Sequence, residues 1–538
     1  MIKLSVTLCW ILILILAISC QTDNRPYKSE LTIGTENDLV NLDPIKTVDV
    51  YTIQVVGQVF EGLVALNHEN NLEPLLAERW WHSDDFKRWR FDIRKAVFFH
   101  DDDCFGTQRT REVTAEDVRY SLQRIASKES SSSFVLVDVV KGVKEFQEGK
   151  SKDVSGFQVV EPQTLEIQLL RSEPNFLYRL TSPWFSVFPK EAVALGPNVF
   201  GRTKVIGTGP FRLLQRTDTE VVLERNSNYW HNVEGNTERL KFRVVKNEQI
   251  RMSELKNGKI AIMQLPVVLM PSVLSATPKD EYVLNPRFSQ NFSIKTFKAF
   301  NVIAIGFNCS KLDIHLRRAI SFAIDRREIV RVVANNSGIL LVGPVPPGLL
   351  GYMSAYPDDI YNLSRARDEL MQAQFDTGSE SVELLIHEKG NSEQLGQLVQ
   401  EQLKRIGLQV NLKKLSFNAV INRMIRGETQ AFFVNIEYAF SSPELILNNF
   451  FNSSSIPAPN FWRYKNVQLD ASLNRLSMIG NRTESNSYSQ EIEKQIVDDS
   501  PAAFLYQSKN PVIFRNNISN LFFNGHNIPL LWKVQINN

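Results

Sequence analysis

Strand-like and helix-like patterns alternate through both halves of the chain, which predicts an α/β protein and not an all-helical or all-β one. Two whole-chain observations bound that reading. Hydrophobic residues make up 43% of the 538 residues and charged residues 22%, a composition of folded, soluble chains, and the length suggests about two to four domains. The 61 Lys+Arg against 59 Asp+Glu give a formal charge of +2, with no electrostatic footprint for nucleic acid. Only four cysteines are present, which excludes a disulfide scaffold.

The elements run as follows. Lys3 is the only charge before Asp23, and an apolar run from Leu8 to Ile18 ends in Ser19-Cys20. A basic start, a short apolar core and small residues at its end read as a secretory signal over residues 1–19. The run falls short of the roughly 20 residues of a spanning helix. Ala17-Ile18-Ser19-Cys20 resembles a bacterial lipobox, which makes Cys20 the first mature residue and the carrier of a lipid; an uncleaved anchor or an ordinary signal cut elsewhere are the alternatives. Residues 20–30 are polar, contain Pro26 and read as a tether.

Leu31 to Thr35 reads as a strand, Asn41 to Pro44 as a turn, and residues 50–63 as a helix from the spacing of Val55, Val56, Val59, Phe60 and Leu63. Arg90 to Arg94 alternates and, with Ala96 to Phe99, predicts a strand or hairpin. Thr114 with Asp117 forms a capping-box pattern that opens a helix to about Ala126. Leu165 to Leu169, Glu220 to Glu224 and Val302 to Asn308 are strands; Asp313 to Val333 is one long amphipathic helix; Ser392 to Ile406 is another, followed by a strand from Leu408 to Leu412. Ser130 to Ser133 is a loop, and Trp80, Trp81 and Trp89 are expected in a core cluster.

Enzyme signatures do not emerge. Gly207-Thr208-Gly209-Pro210 lacks the third glycine of a dinucleotide loop, and Pro210 has no N–H for a phosphate. There is no Gly-x-Ser-x-Gly elbow and no His-Glu-x-x-His. The seven histidines are scattered, so no helical metal pair exists; His100 to Cys104 is expected to be a solvated loop instead of a metal site. Adjacent carboxylates such as Asp84 and Asp85 read as ordinary loop acids. Cys104 and Cys309 are expected to be free, buried thiols.

Many short motifs, in order, resemble one family: the family 5 extracellular solute-binding proteins of ABC importers, which include oligopeptide-, dipeptide- and nickel-binding proteins. Leu42-Asp43-Pro44 and Phe60-Glu61-Gly62-Leu63 resemble its opening. Leu75 to Trp80, Trp89 to Arg94, Val97 to Asp101 and Thr114 to Leu122 resemble its signature block. Gly207 to Phe211, Arg225 to Trp230, Phe307-Asn308, Leu316 to Ala319, Ala323 to Arg326, Pro344 to Pro347 with Gly351-Tyr352, and Glu401 to Leu408 continue the series. An Asp-rich insertion, Asp101 to Gly106, departs from the usual Asp-Gly after the histidine.

The resemblance implies a two-lobed periplasmic-binding-protein fold of type II with an enlarged first lobe and a ligand cleft between the lobes. The implied first lobe is 31–302 with 504–538 returning to it, the second is 303–503, and the crossings fall near Asn301–Ile305 and Pro501–Tyr506. It implies a monomeric, exported, lipid-anchored receptor facing the periplasm or cell exterior. This receptor captures a peptide or similar solute and hands it to an ABC permease and ATPase complex; the alternative is a surface lipoprotein that uses the scaffold for sensing or adhesion. No enzyme activity and no cofactor are expected. Ligand contacts are expected from Val48, Asp49 and Tyr51 in lobe one and from Asn308, Glu437, Tyr438 and Phe440 in lobe two. Aligned on Pro443, Ala439 stands where peptide binders carry the acid that pairs with the ligand ammonium. Glu437, two positions away, lies on the same strand face and is the nearest substitute.

Overall fold

The computed structural model describes residues 29–537 apart from 48, 276–281, 299, 350–351, 353–359, 389–390 and 439–441. The signal, Cys20 and most of the tether, together with Val48, Ala439 and Phe440, therefore lie outside the described residues. No helix among the described residues is long and apolar enough to cross a membrane.

Twelve strands are linked by hydrogen bonding in two groups that share one long strand, Ala502–Arg515. In the first group Glu30–Thr35 pairs in parallel with Arg239–Val244 and with Ile262–Gln264. The strands Phe211–Arg216 and Glu220–Arg225 extend that group antiparallel. In the second group Val382–His387 lies parallel to both Val410–Leu415 and Ala431–Glu437, and the latter pairs with Asn301–Phe307. The crossover from Val382–His387 to Val410–Leu415 runs through the helix Ser392–Lys404, as parallel pairing requires.

The shared strand changes partners midway. Its beginning, Ala502–Tyr506, pairs with Asn301–Phe307, and its end, Lys509–Arg515, pairs with Phe292–Lys298. Lys298 closes one strand beside Lys509 and Asn301 opens the next beside Ser508, so the two strand groups meet at neighbouring points of the shared strand. A separate four-stranded antiparallel sheet contains Ala77–His82, Arg88–Ile93, Thr164–Gln168 and Phe157–Glu161.

Most predicted elements appear with shifted ends. The predicted helix over 50–63 is Val50–Val59, stopped by the extended backbone of Phe60. The helix Ala115–Ala126 has its capping box, with the Thr114 N–H donating to Asp117 at 2.9 Å. The single helix predicted over Asp313–Val333 is instead two, Ile314–Ala323 and Arg326–Val332. Asp325 ends the first by capping the second, its carboxylate accepting the Glu328 N–H at 2.9 Å. The carbonyls freed by the break find the buried Arg326 guanidinium, which donates to Ser321 at 3.1 Å and Ile324 at 3.2 Å. Ala96–Phe99 forms only an isolated bridge from Phe98 to Glu112, because Ala96 takes a positive φ.

Three side-chain expectations need correction. Trp89 is buried, but Trp81 faces outwards on the alternate face of its strand, beneath Arg79. His100 is not in a solvated loop. It is buried, with Nε2 2.9 Å from the Gly209 carbonyl and Nδ1 accepting the Gly207 N–H at 3.4 Å, and burial holds its pKa down at about 4. Cys104 and Cys309 are free, but each is half-buried.

Candidate functional site

Where the two strand groups meet, a cavity of about 430 Å³ opens, with walls from both. One wall has Glu36 just after the first strand, Tyr51 from the helix Val50–Val59, and Gln264 to Val268 with Met270. The other has Ile303, Phe433 and Asn435 from the strands of the second group, with His387 and Ser392. The middle of the shared strand, Ser508 to Pro511, lines the junction. This is a concave, partly apolar site with a few placed polar groups, the usual form of a small-molecule pocket.

Tyr51 is 7% exposed and reaches the cavity wall. Burial, reinforced by the nearby Glu36 carboxylate, holds its ionisation well above the ordinary phenol range. Glu36 is in turn paired with the buried Arg251 at 3.1 Å. Asp49 does not line the cavity; its carboxylate caps the helix by accepting the Thr52 N–H at 3.1 Å.

On the opposite wall, Asn301 ties three strands together. Its amide donates to Asn435 and to Glu437, each at 3.3 Å, while its carbonyl oxygen accepts the Ser508 N–H at 3.0 Å. Glu437 stands two residues from the cavity-lining Asn435 on the same strand face. It is accessible to solvent, yet the surrounding protein desolvates it and pushes its pKa up to about 7, against the opposing hydrogen bonds of Asn301 and Asn435.

The remaining expected residues lie elsewhere. Tyr438 points to the opposite face of the strand, where its hydroxyl donates to the Pro344 carbonyl at 2.9 Å and its ring packs edge-on against Phe450 at 5.1 Å. Asn308 sits at the far end of its strand from Asn301. Its amide donates to the Gly427 and Thr429 carbonyls at 3.1 and 3.0 Å and its carbonyl oxygen accepts from Ser310, so its bonding capacity is spent in a turn. Among the described residues no three metal-ligating side chains gather.

The recurrent motifs converge away from the cavity. Glu61 is buried and accepts from Thr208 at 2.6 Å, Tyr229 at 2.7 Å and Trp230 at 3.0 Å. Gly207 and Gly209 pack so closely on the backbone of residues 58–59 that a Cβ on either would lie within 2.8 Å of it. These motifs lock the fold and contribute nothing to the cleft.

A family model, bacterial extracellular solute-binding proteins, family 5 (middle), matches residues 71–457. The chain belongs to this family. It is a family of solute-binding proteins, not of enzymes. The chain is 25% identical to the heme-binding protein A of Haemophilus influenzae over 79% of its length and 77% of that protein's. It is also 25% identical to the di/tripeptide-binding protein 1 of Pseudomonas aeruginosa, over 92% of this chain and 93% of that one. The ABC transporter-associated periplasmic binding protein DppA of Helicobacter pylori, solved in complex with the peptide STSA, superposes with a TM-score of 0.76 at 21% identity, covering 95% of this chain and 98% of that one. The family 5 solute-binding protein is thus a mixed α/β periplasmic-binding-protein fold.

Sequence reasoning missed Asn301 and Asn435 as site residues, and it missed the middle of the shared strand. The polar run Gln507-Ser508-Lys509-Asn510 inside an otherwise apolar strand was the available signal, because a strand buried on both faces carries such residues only where it borders a polar space.

Proposed function

We propose that this protein is the receptor of an ABC importer and that it captures a short peptide by closing two lobes on it. The lobes would follow the two strand groups, about 30–298 with 509–537 and 301–508, a few residues from the bounds of 302/303 and 503/504 expected from the sequence. The observation that carries this reading is a cavity walled by both strand groups, with the desolvated yet accessible Glu437 beside it. Two crossings side by side let the halves hinge without breaking either sheet. A peptide lying there would be held by main-chain hydrogen bonds, which give affinity with weak side-chain preference. Glu437 would neutralise its ammonium group in place of the acid absent at Ala439. The di/tripeptide-binding relative and the peptide complex of the structural neighbour favour a peptide over other solutes. In this reading Cys20 carries a lipid that keeps the monomer at the membrane, beside the permease and ATPase that accept its cargo.

The experiment is calorimetric titration with a panel of short peptides bearing free or acetylated N-termini. Glu437→Ala should weaken free-amine peptides by about tenfold or more, the loss of a charge-assisted hydrogen bond, and leave acetylated ones nearly unchanged. Equal affinity of the wild type and the variant for every peptide bound would remove Glu437 from ligand recognition.

A further inference from the structure

We propose that a second cavity, at the C-terminal end of the strand Asn301–Phe307, binds a phosphate group, either free, on a small ester or on a lipid headgroup. The cavity is about 390 Å³, and Cys309, Arg317, Arg463, Tyr464, Lys465 and Asp499 contribute to its wall. Three cations there face a single carboxylate, which leaves two positive charges to be balanced.

The bonding of these groups shows which charges are already met. Arg317 is only 7% exposed. Its Nη1 donates to the Asp499 carbonyl at 2.6 Å, the Ser500 carbonyl at 3.0 Å and the Cys309 sulfur at 3.1 Å, so the C-terminal end of the helix Arg482–Asp499 holds one edge of the guanidinium. On the other edge Nε is buried with no hydrogen-bond partner. Arg463 is half-buried: Nη2 donates to the Ile425 carbonyl at 2.7 Å, and Nε, without a hydrogen-bond partner, lies against Gly427. A buried guanidinium with no carboxylate is costly unless an anion accompanies it. Lys465 is exposed and has no ion-pair partner among the described residues.

The one acid does not cancel this excess locally. One oxygen of the Asp499 carboxylate, Oδ2, accepts from the Tyr464 hydroxyl and from Asn466 at 3.0 Å, both neutral donors, and Asp499 forms no ion pair among the described residues. Burial pushes the Cys309 thiol up to about 11, so the sulfur adds no negative charge. Arg463 also holds a left-handed backbone, φ 50°, a conformation uncommon for a side chain of this size and frequent where local structure serves a site. A phosphate monoester carries about −1.5 to −2 charges near neutral pH, which matches the excess, and presents several oxygens to a planar guanidinium. The apolar flank formed by Ile314 and Ile456 leaves room for a small organic substituent.

The test is titration of the mature protein with inorganic phosphate at fixed ionic strength, read by calorimetry and by thermal unfolding against chloride. Phosphate should bind and raise the unfolding midpoint, since any ligand of the native state does so. Lys465→Met and Arg463→Met should each weaken it by about tenfold, the loss of one charge-assisted contact, while Lys465→Arg retains it. Arg317 is too deeply bonded for its variant to be decisive, and the other two keep the proposal falsifiable. Competition by glycerol phosphate would assign the group to a soluble ester. Phosphatidic acid vesicles, whose headgroup is a phosphate monoester, retained by the wild type and lost by Lys465→Met would assign it to a lipid. Peptide affinity of the main cleft, measured alongside, should not change, so failure here is separable from failure there. The proposal falls if phosphate does no more than chloride, or if its effect survives both Lys465→Met and Arg463→Met.

Discussion

At the level of single residues, Glu437 carries the sharpest consequence. Its pKa, raised by desolvation to about 7, means that the empty cleft holds a neutral carboxyl in mild acid and a carboxylate in mild base. The folded-state value lies above that of an unfolded glutamate, so this group favours the folded protein at low pH, and the contribution is lost as pH rises through about 7. Binding of an ammonium group runs in the opposite direction, because it needs the charged form. Affinity for a free-amine peptide should therefore rise as pH climbs towards 7 and fall again above about 8, where the peptide amine loses its own proton, and Glu437→Gln should abolish the rise in calorimetry. The sequence singled this residue out because alternation along a strand puts positions two apart on one face, and the structure places it on the same face as the cavity-lining Asn435. The same rule, applied to Tyr438, turns it away from the cleft, where the structure finds it. Asp49 and Asn308 were not legible as structural groups: a cap and a turn amide use the same short polar side chains as a ligand site, and only their partners distinguish the roles.

At the level of elements, the break at Asp325 shows what apolar periodicity hides. Leu316, Ile320, Ala323, Ile329 and Val330 keep a nearly helical spacing across it, so pattern alone reads one helix. Asp325 interrupts by taking the extended backbone of a cap, and the new carbonyl ends are bonded by Arg326. Asp325→Ala should cost about 1 kcal/mol of stability, measured by urea unfolding, without altering peptide affinity. The shared strand Ala502–Arg515 escaped for a different reason. Its two apolar ends are separated by Gln507 to Asn510 and followed by Pro511, a sequence that resembles two short strands around a turn. Only long-range pairing, with Phe292–Lys298 on one half and Asn301–Phe307 on the other, keeps it straight, and such partners cannot be read locally.

At the level of the whole molecule, the motifs that identified the family and the residues that would hold a ligand are different sets. Glu61 with Thr208, Tyr229 and Trp230, and the glycines packed on residues 58–59, secure the large first portion of the chain, and their chemistry demands particular residue types. The cleft asks less of its residues, since main-chain bonds and water-filled pockets tolerate many side chains. Fold and family were accordingly legible, whereas the sequence offers no comparable pattern for the cleft. The central proposition is that two hinged portions enclose a peptide and release it chemically unchanged. Native mass spectrometry of the mature protein after incubation with a mixed library of short peptides addresses it most directly. One-to-one complexes should form with intact peptides, these peptides should reappear unaltered on denaturation, and Glu437→Ala should deplete those with free N-termini. Protein that stays unbound across the library, or peptides that return cleaved, would contradict the account.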